Sequence, residues 1–94
     1  MIVVDVTARF VREAGKLTVQ DRVLVEAALK RLAEAFGDVH AHAGLGIRKL
    51  RKNLFECRAG LRLRVLFFAE PQRCLCFSVG DHEHVRRLIR MIKL

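Results

Sequence analysis

The hydrophobic period of this chain changes once, near residue 46, and that change limits the folds open to it. Before it, Val25, Leu29, Leu32 and Phe36 recur at helical spacing. After it, apolar and charged residues alternate along 61–68, as in a β-strand with one buried face. A helical first half followed by a strand-rich second half predicts an α+β domain.

The elements follow from caps, turns and periodicity. Thr7 and Thr18 are candidate N-caps for two helices, which Gly15 and Gly37 end. We expect a strand at 2–6, helices at 8–15 and 19–36, a linker at 38–46, strands at 54–58, 61–68 and 73–79, and a final helix after Asp81 with Val85, Leu88, Ile89 and Ile92 on one side. The expected architecture is a mainly antiparallel sheet with an N-terminal helical hairpin on one face and a C-terminal helix.

Length and composition indicate one globular domain over residues 1–94, with 52% hydrophobic and 30% charged residues. No apolar run reaches membrane-spanning length and no leader is recognisable, so we expect a cytoplasmic protein without a membrane partner. Cys57, Cys74 and Cys76 each lie in an apolar stretch and lack further ligands at zinc spacing. They are interpreted as reduced core thiols, and we expect no metal and no cofactor.

The net charge of +8 lies entirely in the second half of the chain. Residues 1–44 carry six Lys or Arg and six Asp or Glu, whereas residues 45–94 carry twelve against four. Such a surplus within folded elements attracts phosphate without regard to sequence, and an acidic protein partner is the main competing explanation.

Strand alternation predicts where these cations point. If Leu61 and Leu63 face the helices, Arg62 and Arg64 face the other way, beside Arg58 and with Glu56 as the nearby acid. Arginine is suited to bidentate phosphate binding. The alternative is a solvated sheet face with arginines that serve solubility. The other cations of this basic segment are Arg48, Lys49, Arg51 and Lys52.

Histidines occur as two His-x-His pairs. His40 and His42 lie in the glycine-flanked linker and are interpreted as surface residues. His82 and His84 follow Gly80-Asp81, where a strand ends and a helix begins, and imidazole exchanges protons near neutral pH. Either could face the basic residues, although a surface position at a helix start is the ordinary alternative.

Residues 47–50, 54–58, 63–67 and 78–84 resemble the RelE/ParE superfamily of bacterial toxins, in which a comparable pattern follows a helical hairpin. The most specific parts are Glu56-Cys57-Arg58 and Arg64-Val65-Leu66-Phe67. The resemblance implies a toxin that an acidic antitoxin neutralises. It also implies action as a ribosome-dependent mRNA endonuclease or as a poison of DNA gyrase.

The resemblance also implies residue roles. Arg64 matches the arginine that acts on the scissile phosphate, and Lys49 or Lys52 would favour deprotonation of the ribose 2′-OH. His84 or His82 would protonate the leaving 5′-oxygen. The residues expected to bind RNA phosphates are Arg48, Arg51, Arg58, Arg62, Arg86 and Arg87.

Three functions are open at this point. A metal-independent endoribonuclease that acts on the ribosome and its mRNA is the first. The chain contains no tyrosine, whereas many endonuclease relatives use one, and this departure favours the second, a ParE-like gyrase inhibitor. The third is a non-catalytic RNA- or protein-binding relative.

Overall fold

The computed structural model describes residues 2–35 and 45–92. The first half holds a strand and two helices, and the second half holds strands followed by a helix. Their bounds are β1 Val3–Val6, α1 Ala8–Gly15, α2 Val19–Ala35, β2 Arg48–Arg51, β3 Leu54–Ala59, β4 Leu63–Glu70, β5 Arg73–Asp81 and α3 His82–Met91. No described helix is both long enough and apolar enough to cross a membrane.

The helix starts are where the caps predicted them. The Thr7 hydroxyl accepts a hydrogen bond from the Phe10 amide at 3.1 Å, and that of Thr18 accepts one from the Asp21 amide at 3.1 Å. Each bond satisfies an amide that the first helical turn leaves unpaired. Gly15 ends α1 as predicted. The expected Phe36 contact, the Gly37 cap and most of the 38–46 linker lie outside the described residues.

The five strands form one sheet in the order β1-β5-β4-β3-β2. β1 pairs in parallel with β5, and the other neighbours are antiparallel. Alternate residues such as Cys57, Val65 and Phe67 form the main core with Phe10 and Leu32 of the helical hairpin. All three cysteines are free thiols in the interior. The predicted α+β fold with a mainly antiparallel sheet is therefore confirmed.

Two strand predictions were wrong. Residues 45–92 contain four strands where the sequence predicted three. β2 was not predicted, because it carries three cations and one leucine and so lacks an apolar alternation. β4 begins at Leu63 rather than at Leu61, because the turn that starts at Gly60, with φ +69°, extends through Arg62. Leu61 is therefore 94% exposed instead of facing the helices.

The final helix, α3, covers part of the sheet face opposite the helical hairpin. Val85 and Leu88 of α3 form a second core with Leu66, and the Phe68 and Phe77 rings stack at 4.6 Å beside it. At the C-terminal end of α3, Arg51 Nη1 donates a hydrogen bond to the Ile92 carbonyl at 3.1 Å. α3 thus packs on β4 and β5, and its C-terminal end reaches β2. The helix does not cover the sheet surface beside its own N-terminus.

Candidate functional site

A cationic cleft of about 160 Å³ lies on this open part of the sheet. Pairing explains its composition, because residues directly opposite each other on neighbouring strands point to the same face. Arg48 pairs with Glu56, and Arg58 pairs with Arg64. The residues that line the cleft are Gly46, Arg48, Glu56, Arg58, Arg64 and His82.

Arg64 is the most enclosed cation of the cleft, with its side chain 18% exposed. Its Nη1 donates hydrogen bonds to the carbonyls of Leu63 at 3.1 Å and Leu61 at 3.4 Å. Its Nε lies 3.7 Å from Glu56 Oε2. Within residues 2–35 and 45–92 no hydrogen bond occupies Nη2, so this nitrogen can offer both of its N–H groups to an anion.

Glu56 lies beneath the arginines and is 5% exposed. Its Oε1 accepts hydrogen bonds from Arg48 Nε at 3.0 Å and from Arg48 Nη2. A carboxylate so far from water is tolerated only when it is paired. From the sequence, Glu56 was expected to be the acid among these cations, but no role was assigned to it. The Glu-x-Arg spacing on one strand face is the signal that could have identified a role.

The two C-terminal histidines separate. His82, the first residue of α3, is exposed and lines the cleft. His84 lies in another surface pocket, where its Nε2 is 2.8 Å from Ser78 Oγ and 3.0 Å from Glu13 Oε2. Its ring also packs on Gly80, where a Cβ atom would lie 2.4 Å from the ring. The structure therefore brings His82, and not His84, to Arg64.

The polar cluster around His84 connects α1, β5 and α3. Burial by itself would raise the pKa of Glu13, but hydrogen bonds from Ser78 and the Val79 amide, the charge of His84 and a bond from Arg9 hold that pKa below its usual value. Asp81 caps α3 by accepting the His84 amide at 2.9 Å. This bond, with the nearby Arg87, lowers the pKa of Asp81.

The lysines predicted for proton transfer lie away from the cleft. Lys49 is opposite Phe55, whose ring packs against the helix-side core, so Lys49 projects from the other face of the sheet. Lys52 lies in the β2–β3 turn with φ 33°, at the far end of β3 from Arg58. Neither is positioned beside Arg64.

The other predicted phosphate ligands divide between the cleft and its surroundings. Arg48 and Arg58 line it, whereas Arg51 is bonded to the end of α3. Arg62 was expected beside Arg64; instead Nη2 of Arg62, which lies in the turn before β4, donates to Asp21 of α2 at 2.6 Å. The remaining two are exposed on α3, where Arg86 pairs with Glu83 at 3.5 Å and Arg87 lies beside His84.

Comparison with known proteins finds similarity in structure and not in sequence. No protein-family model and no curated protein matches the sequence. The fold is similar to a chain of the RelB–RelE antitoxin–toxin complex from Methanococcus jannaschii, with 12% identity, a TM-score of 0.70, and coverage of 89% of this chain and 96% of that chain.

Two further similarities are to proteins of Escherichia coli. The isolated RelE toxin gives a TM-score of 0.66 at 16% identity and covers 98% of this chain and 100% of that chain. YafQ gives 0.69 at 9% identity, with coverage of 90% and 98%. At these identities the likeness establishes the fold, and the RelE-like architecture implied by the sequence resemblance is confirmed.

Proposed function

We propose that this chain is the toxin of a toxin–antitoxin pair and acts as a ribosome-dependent mRNA endonuclease. The observation that carries the proposal is the cleft, in which Arg64 is held through Nη1, has no hydrogen bond at Nη2 within the described residues, and shares the lining with His82. The fold supports the same conclusion, because similar structures are named as RelE toxins and as complexes with RelB antitoxins.

The proposed reaction uses the RNA as its own nucleophile. The ribose 2′-oxygen attacks the adjacent phosphorus and loses its proton to water, and the bond from phosphorus to the 5′-oxygen breaks. Arg64, with Arg48 and Arg58 around it, stabilises the negative charge that develops on the phosphoryl oxygens. His82 donates a proton to the leaving 5′-oxygen, so the products are a cyclic phosphate and a 5′-hydroxyl.

The lysine roles change in this proposal. Since Lys49 and Lys52 lie outside the cleft, we assign them to the RNA backbone beyond the scissile phosphate rather than to deprotonation of the 2′-OH. The arginines lower the cost of forming a 2′-oxyanion beside the phosphate by their charge. His84 is assigned to the cluster that anchors α3.

Dependence on the ribosome follows from what the cleft lacks. Among the described residues that line the cleft, which has a volume of about 160 Å³, there is no phenylalanine on which a base could stack. The chain has neither tyrosine nor tryptophan on which a base could stack. We therefore assign orientation of the message to the ribosome, and correct positioning can supply about 7–11 kcal/mol of a reaction barrier.

The antitoxin would be recognised mainly by charge. An acidic segment that covers Arg58 and Arg64 would neutralise the cleft and exclude RNA from it. The whole surplus of +8 in residues 45–94 favours such a partner. We place the encounter of toxin and antitoxin in the cytoplasm.

Arg64→Ala tests the activity. We expect loss of growth inhibition and of cleavage of ribosome-bound message, whereas Arg64→Lys retains part of both because it keeps the charge but loses the planar fork. Arg73→Ala is the matched control, because Arg73 is an exposed arginine on the same sheet, paired with Glu70 at 2.7 Å outside the cleft. The Arg73→Ala variant should cleave ribosome-bound message at the wild-type rate.

The same experiment separates the gyrase alternative, which the lack of tyrosine favours. DNA breaks that depend on gyrase are measured in the same cells. If Arg64→Ala and a double His82/His84 variant stay fully toxic, with DNA breaks and intact message, the endonuclease proposal is overturned and the gyrase function takes its place.

A further inference from the structure

We propose that Glu56 is a positioning residue, which holds Arg48 and Arg64 so that their guanidinium groups converge on one point of the cleft. This inference rests on the proposed function, because it names the residue that orients the phosphate-binding group. Glu56 does not itself touch the RNA in this account.

The geometry divides the carboxylate between two strands. Glu56 lies on β3, between β2, which carries Arg48, and β4, which carries Arg64. Oε1 accepts from Arg48 Nε at 3.0 Å, and Oε2 lies 3.7 Å from Arg64 Nε. Oε1 is therefore hydrogen-bonded to Arg48, and Oε2 lies at ion-pair distance from Arg64; Glu56 itself is 5% exposed, whereas the Arg48 side chain is 66% exposed.

The carboxylate also separates charges that repel each other. Arg58 and Arg64 are directly opposite on neighbouring strands, and Arg48 is on the same face. Without an anion beside them, the exposed Arg48 would turn outward into water, where its charge is screened, and Arg64 would keep only its bonds to the Leu61 and Leu63 carbonyls. Glu56 keeps these arginines oriented toward the cleft before RNA binds, so they do not have to be reoriented during the reaction.

This role predicts opposite effects on binding and on rate. Glutamine at position 56 has nearly the same shape, but it is neutral, so it can keep a hydrogen bond to Arg48 and cannot form the ion pair with Arg64. It also leaves the cleft with one more net positive charge. RNA binding should therefore be unchanged or stronger, while catalysis weakens because Arg64 is no longer fixed.

The test compares Glu56→Gln with Glu70→Gln, which removes an exposed carboxylate from an arginine pair on the same sheet outside the cleft. Affinity is measured on RNA with a 2′-deoxy sugar at the scissile position, and kcat on ribosome-bound message. We expect Glu56→Gln to lower kcat about tenfold or more with no loss of affinity, and Glu70→Gln to change neither. Equal kcat in the two variants would overturn the inference.

A second measurement keeps the inference independent of cleavage. ¹⁵N relaxation of Arg64 Nε reports the mobility of its guanidinium group, which should be rigid in the wild type and mobile in Glu56→Gln. Glu56→Asp, which keeps the charge and shortens the reach, should be intermediate and serves if Glu56→Gln does not fold. A wild type that cuts no RNA defeats the proposed function, whereas an Arg64 that stays rigid in either variant defeats the role of Glu56.

Discussion

His82 and His84 lie two positions apart in α3 but have different surroundings. Substitutions at the two positions should therefore have different effects. His82 has an exposed side chain at the cleft, so His82→Gln should reduce cleavage about 10²-fold or more while the protein keeps its stability and RNA affinity. His84 contacts Ser78 and Glu13, so His84→Gln should lower the free energy of unfolding by about 1–2 kcal/mol. Urea unfolding and single-turnover cleavage on both variants distinguish the two. A stable His84→Gln protein that fails to cut would contradict this assignment and return the proton donor to His84.

Glu13 makes stability depend on pH in a defined direction. Its pKa is lowered in the folded protein from the ordinary value of 4.5, so the stabilisation is complete above that value and is lost as the pH falls below it. Glu13→Gln should therefore lower the free energy of unfolding by about 1–2 kcal/mol at pH 7 and by clearly less at pH 3.5. Urea titrations of both proteins at the two pH values measure the difference. The same gap at pH 7 and at pH 3.5 would show that the Glu13 charge is not what stabilises the cluster.

At the scale of elements, the close approach of β5 to α3 is the most sensitive junction. A Cβ atom at Gly80 would lie 2.4 Å from His84 Cδ2 and 2.6 Å from Cγ. Gly80→Ala should therefore displace His84, shift the start of α3 that carries His82, and cost about 1–3 kcal/mol of stability. Gly15→Ala is the matched control, because nothing lies within 4 Å of a Cβ atom there. Thermal unfolding and cleavage of the two variants test this. Equal stability and equal cleavage in the two variants would show that the contact between β5 and α3 accommodates the added methyl group without loss of stability.

How far the sequence predicts these elements depends on how strong the local pattern is. Thr7 and Thr18 identified the helix starts, because a cap acts through its own neighbours along the chain. β2 was missed, because a strand at the sheet edge with three cations has no apolar face to show. Arg62 was misplaced because the turn extends through it, so Arg62 lies before β4 and outside the alternation of that strand.

The candidate site was partly predictable for a similar reason. Arg64 and Arg58 could be placed on one face from strand period, whereas Arg48 could only be placed upstream of them because β2 was missed; the structure brings all three together. The choice between His82 and His84 could not be made, because it depends on Glu13 and Ser78, which are 65 residues apart in the chain. Contacts of that kind come from the packing of whole elements.

The charge distribution makes its prediction at the scale of the whole molecule. Association with a small acidic protein encoded beside this chain should weaken steeply between 50 and 300 mM salt, by about one or two orders of magnitude. Arg58→Glu should weaken it further, whereas Arg12→Glu on α1, in the balanced half of the chain, should not. Titration calorimetry over a salt series measures both effects. Binding that is indifferent to salt and to Arg58→Glu would give the cationic cleft no part in recognition of the partner.

The parallel pairing of β1 with β5 determines when the sheet can form during synthesis of the chain. Val3 lies opposite Arg73 and Val6 opposite Cys76, so β1 has no ladder until synthesis has passed β5. Contacts between such distant segments form slowly. Until β5 and α3 have been synthesised, the proposed toxin therefore lacks a finished sheet and lacks His82 at the cleft. A product that terminates before β5 would be harmless to the cell that makes it.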